Sequence, residues 1–130
     1  MDNTQEKDRA KDQARAQLDS IIEMVDNLEN AETDEEKEQA ETAINEDPLS
    51  LQVRSGWYEP GRNSDPEEFE ILLCTGGPAA RIIGELNEYQ EPKKAVIEGQ
   101  DWFTPWLTIS MTEEEEEKVL TYCRQFYFDK

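Results

Sequence analysis

Apolar residues recur along the first thirty positions with a period near 3.6. Ala14, Leu18, Ile21, Val25 and Leu28 follow at spacings of four, three, four and three, and Ile22 and Met24 widen the stripe. That spacing predicts an amphipathic helix beginning near Thr4 or Gln5. Its first dozen residues are polar and give packing little to hold, so fraying is expected there. Thr33 followed by Glu36 has the spacing of a capping box and opens a second helix, with Ala40, Ala43 and Ile44 as its buried face. Pro48 ends it, because the residue before a proline avoids helical geometry. A junction near Asn30 makes the pair a helical hairpin.

After Pro48 the period falls to 2, the alternation of a strand. Leu49, Leu51, Val53, Ser55 and Trp57 share one face, and Gln52, Arg54 and Tyr58 the other. Residues 60–66 are dense in turn formers. Phe69, Ile71 and Leu73 alternate with Glu70, Leu72 and Cys74 in a second strand, and Thr75-Gly76-Gly77-Pro78 turns the chain. Ala80, Ile82, Gly84 and Leu86 mark a third strand, and Ala95, Val96 and Ile97 a fourth that runs towards Trp102. Short connections between consecutive strands predict an antiparallel meander of four strands, with residues 107–111 a short fifth. Thr112 and Glu115 form another capping box and open a C-terminal helix whose apolar face carries Val119, Leu120, Cys123, Phe126 and Tyr127. The expected class is α+β: an N-terminal helical hairpin, a four- or five-stranded antiparallel meander, and a C-terminal helix packed on the sheet. An acidic helical segment over 1–48 and an α+β unit over 49–130 together make one domain.

Charge changes the picture more than any motif. The chain has 32 Asp and Glu, 13 Lys and Arg, and no His, for a net of −19. All eleven aromatics lie between Trp57 and Phe128, so the later part has what a folded core needs despite the acidity. Of these, Trp57, Phe69, Phe126 and Tyr127 fall on apolar faces and read as core. Trp102, Phe103 and Trp106, interrupted by Pro105, either plug one end of the sheet or form an exposed anchor. Cys74 and Cys123 sit in apolar patterns and read as small core residues of a cytoplasmic protein. No signal peptide or bilayer-spanning run is seen, and anionic membrane surfaces repel so negative a chain.

The absence of His excludes Ser-His and Cys-His nucleophile pairs, and two isolated cysteines exclude a structural zinc site. The glycines of Thr75-Gly76-Gly77-Pro78 lack the spacing and the lysine of a phosphate-binding loop. No stretch follows the alternating Asp/Asn pattern of a calcium loop, and no carboxylate pair is set in apolar surroundings. The expectation is a non-enzyme with no cofactor and no metal.

Arg54-Ser55-Gly56-Trp57-Tyr58, then Glu68-Phe69-Glu70-Ile71-Leu72-Leu73-Cys74-Thr75-Gly76-Gly77-Pro78, then Asp101-Trp102-Phe103-Thr104-Pro105-Trp106 and Tyr122-Cys123-Arg124-Gln125-Phe126-Tyr127-Phe128, resemble a family of small acidic proteins carried by bacterial phages and plasmids. The likeness spans roughly the last eighty residues. It implies a mobile-element origin and nothing catalytic.

Residues 32–41 hold Glu32, Asp34, Glu35, Glu36, Glu38 and Glu41 against Lys37 alone, a net of −5. At about 1.5 Å rise per residue this is roughly one net charge per 3 Å of helix, close to the ~3.4 Å phosphate spacing of one DNA strand. Glu113, Glu114, Glu116 and Glu117 form a second cluster. Acids in a first helical turn meet the positive end of the helix, which accounts for part of both clusters. Like charges four apart cost a few tenths of a kcal/mol, and solubility asks for a net charge of only about 2–8. The surplus points to a basic nucleic-acid-binding protein as partner, contacted by these acids together with Trp102 and Trp106, and the resemblance to mobile-element proteins implies that this partner is a host defence protein, a CRISPR effector or a restriction enzyme. Nucleic acid itself is not an expected ligand. The other expectation is an assembly adaptor, with the amphipathic first helix as its docking face or as the seam of a homodimer.

Overall fold

The computed structural model describes residues 4–62, 64–102 and 104–128, so Phe103 lies outside the described residues. In chain order the elements are α1 (Thr4–Glu29), α2 (Asp34–Glu46), β1 (Ser50–Arg54), β2 (Glu68–Cys74), β3 (Ala79–Leu86), β4 (Pro92–Gln100), β5 (Leu107–Thr108) and α3 (Glu113–Cys123). The strands form one antiparallel sheet in the order β1-β2-β3-β4-β5. The fold is α+β, as the alternation and the capping signals predict. Gly76, in the β2–β3 turn, has φ of +103°, a conformation that L side chains rarely adopt.

The helices cover one face of the sheet. α1 lies across β3, β4 and β5, α3 packs on β4 and α1, and α2 packs on α1. Leu18, Ile21 and Val25 of α1, Ile71, Ile82 and Ile97 of the sheet, and Val119 and Tyr122 of α3 are buried in the layer between. The Tyr122 hydroxyl donates to Asp47 at 2.7 Å and so fastens α3 to the C-terminal end of α2. Burial first, and then the Asp47 carboxylate, push this phenol well above its ordinary pKa.

From Arg9 onward α1 is docked, so the polar stretch expected to fray is held at its end. Ala10 and Ala14 are fully buried, and a Cβ added at Gly99 would collide with the Ala10 carbonyl. Arg9 Nε donates to Asp101 at 2.6 Å, and Gln13 Nε2 donates to Cys74 Sγ at 3.2 Å. Small residues let the helix approach the sheet closely, and these polar contacts hold it there.

Other expectations are corrected. β1 ends at Arg54, so Trp57 lies beyond the strand and is fully exposed rather than core. Leu51 and Val53 sit opposite Ile71 and Phe69 and share their face, yet they and Leu49 are exposed because the helix layer lies over β3–β5. Tyr127 is also exposed, and its neighbour Phe128 is buried instead, its ring 4.7 Å from that of Phe69. Ala43 faces solvent, leaving Ala40 and Ile44 as the buried residues of α2. Cys123 is buried and Cys74 half-buried, and both are free thiols.

Candidate functional site

α2 begins at Thr33, whose Oγ1 accepts the N–H of Glu36 at 3.1 Å. The Glu36 carboxylate accepts from the N–H of Glu32 at 2.9 Å, one residue before the position that a reciprocal capping box would use. Asp34, Glu35 and Glu36 occupy the first turn, where the exposed N–H groups favour negative charge. With Ala40 and Ile44 turned inward, Glu35, Glu38 and Thr42 fall on the opposite, outward ridge. Asp34 and Glu41 flank that ridge, and Glu41 is half-buried.

α3 has the full box: Thr112 Oγ1 accepts from the Glu115 N–H at 3.1 Å, and the Glu115 carboxylate accepts from the Thr112 N–H at 2.9 Å. Glu115 also pairs with Arg15 at 3.0 Å. Glu113, Glu114 and Glu117 remain exposed, and Glu116 is half-buried.

Bases go elsewhere. Arg9 pairs with Asp101, Arg15 with Glu115, Arg54 with Glu68, Arg62 with Glu59, Arg81 with Glu70 and Glu98, and Lys118 with Asp26 and Glu29. Among the described residues, no ion pair reaches Glu32, Asp34, Glu35, Glu36, Glu38, Glu41, Glu113, Glu114, Glu116 or Glu117. Lys118 reaches Asp26 at 2.8 Å and Glu29 at 2.6 Å, and these two carboxylates raise its pKa above the ordinary lysine range. That contact ties α3 to the C-terminal end of α1, from which α2 departs, whereas Glu115 in the first turn of α3 is held by Arg15 near the middle of α1.

The tryptophans lie elsewhere. Asp101, next to Trp102, is bound to Arg9, and Glu29 is bound to Lys118. Twenty residues of α1 separate these anchors, about 30 Å at the helical rise. Trp102 is exposed, with its indole over Gly77. Trp106 is half-buried on the open sheet face, its ring centroid 4.2 Å from the Arg81 guanidinium carbon. The carboxylates of α2, which begins beyond the C-terminal end of α1, therefore do not join Trp102 in one aromatic-centred acidic site.

The open face carries a shallow groove of about 440 Å³ over Arg54, Glu68, Arg81, Ile83, Lys94 and Val96. Cross-strand register aligns Leu72, Arg81 and Glu98 in one row and Glu70, Ile83 and Val96 in the next. Arg81 bonds Glu70 at 2.6 Å and Glu98 at 2.8 Å, and Thr108 donates to Glu98 at 3.2 Å. Alternation alone places Arg81 on this face, but its partners depend on register and had no signal in the sequence. Among the described residues, no buried side-chain polar atom lacks a partner, and no group of His, Cys, Asp and Glu has the arrangement of a metal site. No described helix is long and apolar enough to cross a membrane.

Comparison with protein-family models, curated proteins and solved structures returned no match.

Proposed function

We propose that the protein is a non-enzymatic inhibitor that imitates DNA and occupies the basic nucleic-acid channel of a host defence protein, a CRISPR effector or a restriction enzyme. The observation that carries this reading is the division of charge. Arg15, Arg81 and Lys118 are drawn into pairs with other carboxylates, and among the described residues the acids of α2, with Glu113, Glu114, Glu116 and Glu117 of α3, are left without an ion-pair partner. Glu35 and Glu38 stand three residues apart on the outward ridge of α2, about 4.5 Å along its axis. Such a row replaces counterions in a phosphate-binding channel, with charge speeding the encounter.

Trp102 and Trp106 lie away from this row and are not part of the proposed contact. An adaptor role through α1 loses its docking face, since the apolar stripe of that helix is buried in its own chain.

The test is capture of the target from host lysate at low salt with elution by rising salt, followed by competition with labelled DNA. Salt-sensitive binding, competition with DNA and loss of both in Glu35→Lys/Glu38→Lys support the reading. A target whose DNA affinity is unchanged by saturating protein sinks it.

A further inference from the structure

β1 is an open sheet edge. β2 pairs with one side of it, and no described strand pairs with the other. The opposite edge, β5, is cut to two residues, a common way of blunting an edge. β1 has no such protection. Leu49, Leu51 and Val53 are 59%, 41% and 43% exposed on the face that elsewhere packs the helices, with Trp57 and Tyr58 exposed beyond them. Residues 48–58 include no acid and one base in a chain of net charge −19. That base, Arg54, is held by Glu68 at 3.0 Å. The strip is apolar and free of like charge.

We propose that this edge is a self-association surface on which two copies pair β1 to β1, antiparallel, about a two-fold axis at Gln52. The two sheets then continue as one of ten strands. Directly opposed residues of an antiparallel pair point to the same side. The register therefore sets Leu51 against the second copy's Val53, and Val53 against its Leu51, on the side of the helix layer. Ser50 meets Arg54 on the other side, and Gln52 meets itself. The same patch serves both copies, as a two-fold interface requires. The pairing covers the flanks of Leu51 and Val53 in both copies and satisfies the free backbone N–H and C=O groups of the two β1 edges. A foreign strand can add to an edge in the same way, but a strip without acids gives a basic strand no charge to recognise. This favours the second copy as occupant.

Electrostatics give the association a distinctive sign. Two chains of −19 repel at long range, and salt screens that repulsion while the apolar seam is unaffected by screening. Self-association strengthens as salt rises, whereas contact through the acids of α2 and α3 weakens. The dimer does not rest on the proposed function, and the two salt responses separate them.

Sedimentation equilibrium over a concentration series, at low and at high salt, tests the proposal. The mass is expected to move from 15.1 kDa towards twice that value, further at high salt. Leu51 occurs twice in the seam, so Leu51→Lys weakens the dimer by about a hundredfold. Val53→Lys acts alike, both variants keep the parent circular dichroism and melting profile, and Glu35→Lys does not weaken association. A 15.1 kDa species at every concentration and salt overturns the proposal. So does a dimer that weakens with salt, one indifferent to both strand variants, or a monomer that adds a foreign strand at β1.

Discussion

Ala10 of α1 rests against Gly99 of β4, its carbonyl oxygen where a Cβ at position 99 would have to stand. The neighbour is helix backbone, which cannot rotate aside as a flexible side chain would. Gly99→Ala is therefore expected to destabilise the fold by about 1–3 kcal/mol, and Gly99→Val by more. Urea unfolding followed by tryptophan fluorescence measures this. A midpoint unchanged in both variants would show that α1 does not bear on the sheet there.

Acid should loosen the same junction. The N–H of Trp102, at 2.9 Å from the Asp101 carboxylate, and then the Arg9 guanidinium hold that carboxyl below its ordinary pKa. A depressed carboxylate contributes stability that is complete above its unfolded pKa, about 3.9, and lost as pH falls through the lower folded value. Asp101→Asn is expected to be less stable than the parent at neutral pH, with the gap closing below about pH 4. Paired urea titrations across pH decide it, and a constant gap would refute the assignment.

Arg81 joins three strands through Glu70, Glu98 and the ring of Trp106. Replacing it by Met leaves Glu98, a buried residue, without its cation. The expected loss is about 3–5 kcal/mol. Arg81→Met/Glu98→Leu should recover much of it, because the uncompensated charge goes as well. Thermal melts of the single and double variants check this, and a double variant no better than the single would contradict it.

Glu38 faces solvent near Asp34 and Glu41, four residues before it and three after it on α2. Glu38→Gln removes the like-charge repulsion with these two and with Glu35, three residues before it, and is expected to raise stability by about 0.2–0.5 kcal/mol while weakening target capture. Opposite signs in fold and function are what a charge retained for binding predicts. A variant that melts lower, or that binds as well as the parent, would argue that Glu38 serves the fold.

The thiols should differ sharply in reactivity. Burial pushes the Cys123 thiol well above its ordinary pKa, whereas Cys74 is half-buried and accepts from Gln13. Thiolate is the reacting form. One equivalent of a disulfide reagent is expected to react with the native protein, and the second only in urea. Persistence of the fast equivalent in Cys74→Ser would reverse the assignment.

How much of this was legible along the chain follows from the range of each interaction. Thr112 and Glu115 bond within one turn, so the start of α3 could be read from spacing. The stripe from Ala14 to Val25 names the buried side of α1, because burial of a helix face follows its period. Alternation placed Leu51 and Val53 on the face they occupy, but it carries no information on whether a helix covers that face. Alternation likewise reads Trp57 as core, and β1 ends before reaching it. The acidic residues of α2 were visible as a cluster. Their lack of partners was not, since it depends on where Arg15, Arg81 and Lys118 find theirs, as much as 100 residues away.

Arg9 and Asp101 are bonded across 92 positions of sequence. At about 5–20 residues per second of synthesis, α1 leaves the ribosome roughly 5 to 20 seconds before the strand it docks on exists. During much of that interval only α2 is present to cover its buried stripe. The acids crowded into the first fifty residues would keep such an early, incompletely covered helix apart from its copies on neighbouring ribosomes. The charge would then guard the nascent chain before it serves the finished one.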